Sequence, residues 1–218
     1  MNSNLKQNES LPTILWILAT TFGWSVGLLP NLQTIKNPSD FYQTVLILGV
    51  NGLLIGLLMG VLQWMVLRQF IKIPKSWITA TIFGCLFAEI FGVVFAVGFP
   101  LGLLYLHGEG LSGWEFMPTP FYLVFGGFFV GLFQSIVLSR STSRIGNRIG
   151  LLWVMGTWLG IGLGVFATGY ANNYLSNAAR PNILFLFLGR IIAGVVLGLT
   201  TLVLLQIINK KVGNLATA

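Results

Sequence analysis

Long apolar runs separated by short polar stretches dominate the hydrophobic pattern of this chain. Each run is about 20 residues long, which is the length that a helix needs to cross the hydrocarbon core of a bilayer. Backbone groups left unpaired in lipid are costly, so such runs are expected to be helical, and they lack the short alternating segments of a membrane β-barrel. The pattern predicts an all-α protein with six transmembrane helices, at about 12–29, 43–68, 77–98, 119–139, 149–170 and 182–208.

One stretch recurs three times within these runs. The copies share a Gly-x-x-x-Gly pair and an apolar continuation, and they span Gly56–Arg68, Gly127–Ser139 and Gly194–Gln206. Each is preceded by the pattern W-x-x-[AG]-T-x-x-G-x-x-x-[GA], which starts at Trp16, Trp77 and Trp153. We interpret the chain as one membrane domain, residues 1–218, made of three helical hairpins at about 12–68, 77–139 and 149–208. The hairpins share one orientation, so they are parallel repeats around an axis along the membrane normal.

The first copy, Gly56–Arg68, reads G-x-x-x-G-x-x-Q-W-x-V-L-R. It resembles a hairpin motif of uncharacterised multipass bacterial membrane proteins. The second copy departs from this motif, because Ser135 stands in place of the tryptophan and Arg140 is displaced by one residue. The resemblance implies a membrane hairpin and no defined activity.

The charges indicate how the chain lies in the membrane. The sequence is 55% hydrophobic and 8% charged, whereas soluble domains carry about 25% charged residues. Of the 12 Lys and Arg, nine lie on the side of the termini, two on the other side and one inside a run. Positive residues mark the cytoplasmic side, so both termini are predicted to be cytoplasmic. The resemblance to bacterial membrane proteins implies a bacterial inner or internal membrane. The net charge of +7 then indicates contacts with anionic lipids rather than with nucleic acid.

Two charged residues interrupt the apolar runs where the other repeats carry uncharged residues. These are Glu89 in the third run and Arg190 in the sixth. At about 1.5 Å per residue, both reach nearly the same depth, and Asn51 of the second run reaches it as well. We predict that Glu89 and Arg190 pair inside the bundle, with Asn51 as a third member. Charges inside a membrane span are costly, so the cluster is either a structural ion pair or a site for a ligand, ion or pigment.

A second polar set lies nearer the predicted cytoplasmic face. Gln63 and Gln134 occupy equivalent positions in the first two repeats, and Thr201 occupies that position in the third. If these side chains face inward, they either line a small polar vestibule or form hydrogen bonds between helices.

Enzymatic chemistry is not expected from this sequence. It contains no H-E-x-x-H, G-x-S-x-G or Walker A motif, and it has a single aspartate and a single cysteine, Cys85. We therefore expect no catalytic residues and no metal site, and the sequence leaves any cofactor undetermined.

Two function classes remain open. The first is a structural or accessory membrane protein, such as a subunit, assembly factor or scaffold, that packs through glycine-rich helix faces. Short loops favour this class, with lipids, other membrane subunits or further copies of the chain as partners. The second is a small-solute or ion transporter or channel that uses Glu89, Arg190 and Asn51. The first is preferred, because a direct Glu–Arg pair neutralises itself.

Overall fold

The structure is a computed structural model. It describes residues 10–26, 41–69, 73–107, 118–141, 146–175 and 183–216. Within these ranges, side-chain surroundings are described for 13–26, 46–69, 73–91, 126–141, 148–164, 166, 188 and 190–207.

Six α-helices account for nearly all of the described residues, and no strand occurs among them. The helices are α1 Ser10–Val26, α2 Phe41–Leu67, α3 Ser76–His107, α4 Pro118–Ser141, α5 Gly146–Leu175 and α6 Ile183–Ala216. The predicted all-α class and the predicted number of helices are therefore confirmed for this part of the chain.

Some helices extend beyond their predicted ends. The third run was expected to end near residue 98, but α3 continues through Pro100 to His107. Residues 101–107 are leucine-rich, and leucine favours helix strongly. The helix therefore continues although a proline inside a helix removes one backbone donor and crowds the preceding turn. Likewise α6 continues to Ala216, past the predicted end near residue 208. Hydropathy shows where a helix is apolar, and it does not show where the backbone stops being helical.

The helices form a closed ring. Each packs against its neighbour in the sequence, and α1 packs against α6. Neighbouring helices run antiparallel, because residue numbers increase along one helix while those of the residues that face it decrease along the other. For example, a Cβ atom added at Gly56 would lie against Ile82, and one added at Gly60 would lie against Ile78.

Glycines allow neighbouring helices to approach closely. A Cβ atom at Gly56 would lie 2.5 Å from the Cα of Ile82, so only a residue without a side chain fits there. Gly194 allows the same close approach between α6 and α1, where the ring closes, since a Cβ atom added there would lie 2.6 Å from the Cα of Thr21. These contacts bring backbone against backbone, which is how small residues stabilise helix pairs that lack large interdigitating side chains.

The interior has two apolar clusters along the ring axis. One surrounds Trp16, Trp77 and Trp153, near the end of the ring that carries Arg68, Lys75, Arg140 and Arg148. We call this end the basic end. The other cluster lies further from the basic end and includes Trp24, Ile55, Met59, Cys85, Val130, Ile161 and Leu197.

The outer surface is apolar and the interior contains polar side chains. Large apolar residues such as Leu46, Leu151 and Phe166 are 68, 65 and 66% exposed. Among the described side chains, the exposed polar ones lie towards the basic end: Arg68, Gln69, Lys75, Ser76, Thr79, Arg140, Arg148 and Gln206. The buried polar ones are Thr20, Ser25, Asn51, Gln63, Thr81, Glu89, Gln134, Ser135, Thr157 and Thr201.

Two described segments are long and apolar enough to cross a membrane, Leu46–Leu67 and Arg190–Ile207. Shorter apolar helical segments lie at Thr13–Val26, Ser76–Phe91 and Arg148–Gly164. The two longer segments are compatible with a membrane location.

Candidate functional site

Three tryptophans fill the ring axis near the basic end. Trp16, Trp77 and Trp153 come from α1, α3 and α5, which alternate around the ring, so their side chains meet only inside it. All three are completely buried. The rings of Trp16 and Trp153 meet edge to face at 6.2 Å between centroids, and those of Trp77 and Trp153 at 5.6 Å. This geometry is favourable for aromatic pairs. We call these residues the tryptophan cluster.

A polar layer lies beside the tryptophan cluster, and Gln134 of α4 is its hub. Its amide nitrogen donates to Thr81 Oγ1 in α3 at 2.9 Å and to Gln63 Oε1 in α2 at 3.1 Å. Its amide oxygen accepts from Trp153 Nε1 in α5 at 3.0 Å. One buried side chain therefore links four helices.

The polar layer continues to the remaining two helices. Gln63 Nε2 donates to Thr20 Oγ1 in α1 at 3.1 Å. Trp16 Nε1 donates to Thr201 Oγ1 at 3.0 Å. This hydrogen bond joins α1 to α6, where the ring closes. Thr201 in turn donates its hydroxyl proton to the Leu197 carbonyl at 2.7 Å. Every one of the six helices thus contributes at least one side chain to the polar layer.

The third repeat contributes less to this layer than the other two. Gln63 and Gln134 each donate to the threonine of their own hairpin, whereas Thr201 occupies the equivalent position with a shorter side chain. Thr157, the threonine of that hairpin, is buried with a hydroxyl that has no hydrogen-bond partner. Trp77 Nε1 is also buried without an acceptor.

The structure therefore brings Gln63, Gln134 and Thr201 into one layer, as their spacing indicates. All three are buried and take part in hydrogen bonds between helices. Hydrogen bonding between helices is one of the two roles that the sequence suggests for these residues. An open vestibule lined by the same side chains remains a prediction.

The charged group lies further from the basic end. Asn51 Nδ2 of α2 donates to Glu89 Oε1 of α3 at 3.1 Å, and both side chains are buried. The neighbouring Gly52 lets the helices approach here, since a Cβ atom at Gly52 would lie 3.1 Å from Glu89 Cγ. Two of the three predicted members, Asn51 and Glu89, are therefore in direct contact.

Arg190 contacts a residue that the sequence analysis did not select. Its guanidinium carbon lies 5.7 Å from the ring centroid of Trp24 in α1, a cation–π distance. A signal for Trp24 was present in the sequence: it follows Trp16 and Thr20 at intervals of four, which places all three on one face of α1. The pairing of Arg190 with Glu89 remains a prediction.

Several buried polar atoms around this group lack a hydrogen-bond partner. They are Trp24 Nε1, Asn51 Oδ1 and Arg190 Nη1. A buried unsatisfied polar atom costs about 1–3 kcal/mol, and more if it is charged. The arrangement therefore offers buried donors and an acceptor to a polar partner.

Side chains of the types that bind metal ions are few in the described part of the chain. No group of three or more His, Cys, Asp and Glu side chains lies close enough together there to hold an ion. Cys85 is buried and not disulfide-bonded.

Comparison with protein-family models, with curated proteins and with solved structures gives no match to this chain.

Proposed function

We propose that the chain is an integral membrane protein with a structural or accessory role, and that it crosses the bilayer six times as three hairpin repeats of one domain. The distribution of polarity supports the membrane location. Large apolar residues face outward, while Gln63, Gln134, Asn51 and Glu89 are buried. A soluble monomer rarely exposes extended apolar surface, whereas lipid accepts it and penalises exposed polar groups.

Equivalent contacts in the three hairpins support the repeat. Gly23, Gly84 and Gly160 lie against the second helix of their own hairpin, facing Met59, Val130 and Leu197. Gly56, Gly127 and Gly194 lie against the first helix of the next hairpin, facing Ile82, Trp158 and Thr21. Each set occupies matching positions in the repeated patterns. The last contact returns to α1, so three hairpins close one ring.

The observation that carries the structural role is the filled axis at the basic end. The tryptophan cluster occupies the centre, and Gln134 ties four helices together beside it. A pathway through this level would require the indoles to separate and buried hydrogen bonds to break. A rigid ring with an apolar exterior suits a subunit or scaffold that packs against lipids, other membrane subunits or further copies of itself.

One observation favours a second candidate, a small-solute or ion transporter. Glu89 is buried beside Asn51, and Arg190 lies on α6 with a buried donor that has no partner. Ionisable side chains at membrane depth mark ion or substrate pathways by default. In this candidate, Glu89, Arg190 and Asn51 form the site, and the tryptophan cluster closes the basic side.

Purification distinguishes the two candidates. The tagged protein is extracted in mild non-ionic detergent and analysed by native gel, mass spectrometry and absorbance spectroscopy. Stoichiometric membrane subunits or a bound pigment would support the accessory role and identify the partner. A colourless species without other subunits would instead favour transport, to be tested by solute uptake into vesicles with Glu89→Gln as the inactive control.

The six-span arrangement has its own test. Single cysteines are introduced at Lys75, Arg148 and Lys36 in a Cys85→Ser background and labelled with a membrane-impermeant maleimide. In intact cells stripped of their outer membrane, only Lys36→Cys should react, and all three should react after lysis. Labelling of Lys75→Cys or Arg148→Cys before lysis would contradict the proposed orientation.

A further inference from the structure

Arg190 and Trp24 form a partly buried pair in which one nitrogen of each side chain has no hydrogen-bond acceptor. The pair lies where α6 meets α1, and the guanidinium carbon is 5.7 Å from the indole centroid. Trp24 is only 5% exposed, and its Nε1 and the Nη1 of Arg190 are both buried without a hydrogen-bond partner. An indole N–H and a guanidinium can only donate, so both groups require an acceptor.

We propose that Arg190 and Trp24 form a binding site for an anionic oxygen, supplied by a phosphate or a carboxylate group. A guanidinium matches the geometry and charge of such oxygens. The adjacent indole N–H supplies a neutral donor to the same ligand. The ligand would satisfy two buried donors, which are costly to leave unpaired in an apolar interior, and it would face the positive charge of the partly buried Arg190.

A second arginine–tryptophan pair in the same chain provides the contrast. Arg68 lies 5.1 Å from the ring centroid of Trp64. There the indole Nε1 already donates to the Ile73 carbonyl at 3.3 Å, and Arg68 is exposed at the basic end. That pair is complete without a ligand, whereas the Arg190–Trp24 pair is not. Stacking of an arginine on a tryptophan therefore does not by itself define the site; the unsatisfied buried donors do.

Two sources can supply such an oxygen: the phosphate of a lipid head group, or a small soluble anion. The lipid source rests on the proposed membrane location, and the soluble source does not. The competing internal partner is Glu89 of α3, which the sequence analysis pairs with Arg190. If Glu89 neutralises Arg190 within the chain, no external anion should bind.

The test measures thermal unfolding of the full chain in non-ionic detergent. Sodium phosphate, sodium acetate and a short-chain phosphatidylglycerol are titrated, with sodium chloride at matched ionic strength as the reference. A ligand that binds the folded state raises the unfolding midpoint with a saturable concentration dependence, which gives an apparent Kd. Trp24→Phe removes the N–H and keeps an aromatic ring for Arg190. Arg190→Gln removes the charge, and Arg68→Gln is the matched control that removes an arginine from the completed pair.

We expect a saturable rise for at least one probe. Trp24→Phe should weaken its apparent affinity about tenfold, the loss expected for one hydrogen bond to a charged group. Arg190→Gln should abolish the rise, and Arg68→Gln should leave it unchanged. A response to phosphatidylglycerol alone identifies a lipid head group, and a response to phosphate or acetate identifies a soluble anion.

Two outcomes would overturn the proposal. One is that none of the three probes gives a saturable rise in the unfolding midpoint. The other is an equal loss of affinity in Arg68→Gln and Trp24→Phe, which would indicate general attraction to the basic surface. If Arg190→Gln fails to fold, Trp24→Phe still decides. The cysteine-labelling test of the membrane spans does not involve this site, so failure of one proposal is distinguishable from failure of the other.

Discussion

Replacing Gln134 with leucine should destabilise the ring more than any other single glutamine substitution in the described chain. Leucine is close to glutamine in size and shape, so the change removes hydrogen bonds with little change in packing. Gln134 donates to Thr81 and Gln63 and accepts from Trp153. After the substitution, Trp153 Nε1 and Gln63 Oε1 lose the partners described here. The Thr81 hydroxyl keeps its own bond to the Trp77 carbonyl at 2.9 Å.

The magnitude is bounded from two sides. Interhelical hydrogen bonds in membrane proteins average about 0.6 kcal/mol each in double-mutant cycles, so three lost bonds give a lower bound of about 2 kcal/mol. Two buried polar atoms left unsatisfied cost about 1–3 kcal/mol each, which gives an upper bound of about 6 kcal/mol. Relaxation of the side chains around the site reduces the upper figure. We therefore expect Gln134→Leu to lower the free energy of unfolding by about 2–4 kcal/mol.

The assay follows helix content by circular dichroism as the mole fraction of dodecyl sulfate is raised in non-ionic micelles. Gln206→Leu is the matched control, because Gln206 is exposed on α6 and surface substitutions usually change stability by less than about 0.5 kcal/mol. Gln63→Leu should fall between the two, since it removes the bonds to Thr20 and Gln134. If Gln134→Leu were folded and as stable as wild type, or if Gln206→Leu cost as much, the polar layer would not be what holds the helices together.

Two further predictions test the ring itself. In a Cys85→Ser background, Ile17→Cys with Gly198→Cys should form a disulfide on mild oxidation, because a Cβ at Gly198 would lie 3.5 Å from Ile17 Cβ, within the usual range of about 3.5–4.5 Å. The pair Ile17→Cys with Gly150→Cys should form no disulfide. Gel mobility detects the cross-link in either variant, and its absence from the first pair would argue against ring closure. Gly194→Ala should lower the free energy of unfolding by about 1–3 kcal/mol through overpacking. At Gly150 an added Cβ would lie 3.6 Å from its nearest neighbour, Ser135, so Gly150→Ala should stay within about 1 kcal/mol of wild type or stabilise the helix. Equal unfolding midpoints for the two variants would contradict this.

The sequence was sufficient to predict the helices and the alignment of the polar layer. Apolar runs of about 20 residues have few alternatives to helix, and fixed spacing placed Gln63, Gln134 and Thr201 at one level. The spacing of the glycines also indicated where neighbouring helices approach closely. It did not indicate which helix each glycine faces: Gly23 lies against α2, whereas Gly56, in α2 itself, lies against α3. That choice depends on the rotation of each helix about its own axis, which an almost uniformly apolar surface does not specify.

The partners of the charged residues were harder to predict for the same reason. Depth along the helix predicted that Asn51 and Glu89 reach the same level, and their side chains share a hydrogen bond. Depth alone does not give the direction in which a long side chain extends, so it did not indicate the contact of Arg190 with Trp24. The pairing of Arg190 with Glu89 stays a prediction. The helix end at His107 was also missed, because Pro100 and the glycines around it are typical of both loops and membrane helices.

The hydrogen bond between Trp16 and Thr201 joins residues that are 185 positions apart. A ribosome adds about 5–20 residues per second, so Trp16 would be made roughly 10–40 s before its acceptor exists. During that interval the Trp16 N–H has no Thr201 to bond, and the face of α1 that Gly194 later covers is open. The newly made α1 should therefore depend strongly on protection until synthesis is complete, and in the proposed membrane location the insertion machinery or a chaperone would supply it. Arrival of α6 supplies the acceptor for Trp16 and covers this face of α1, so completion of the ring ends that dependence.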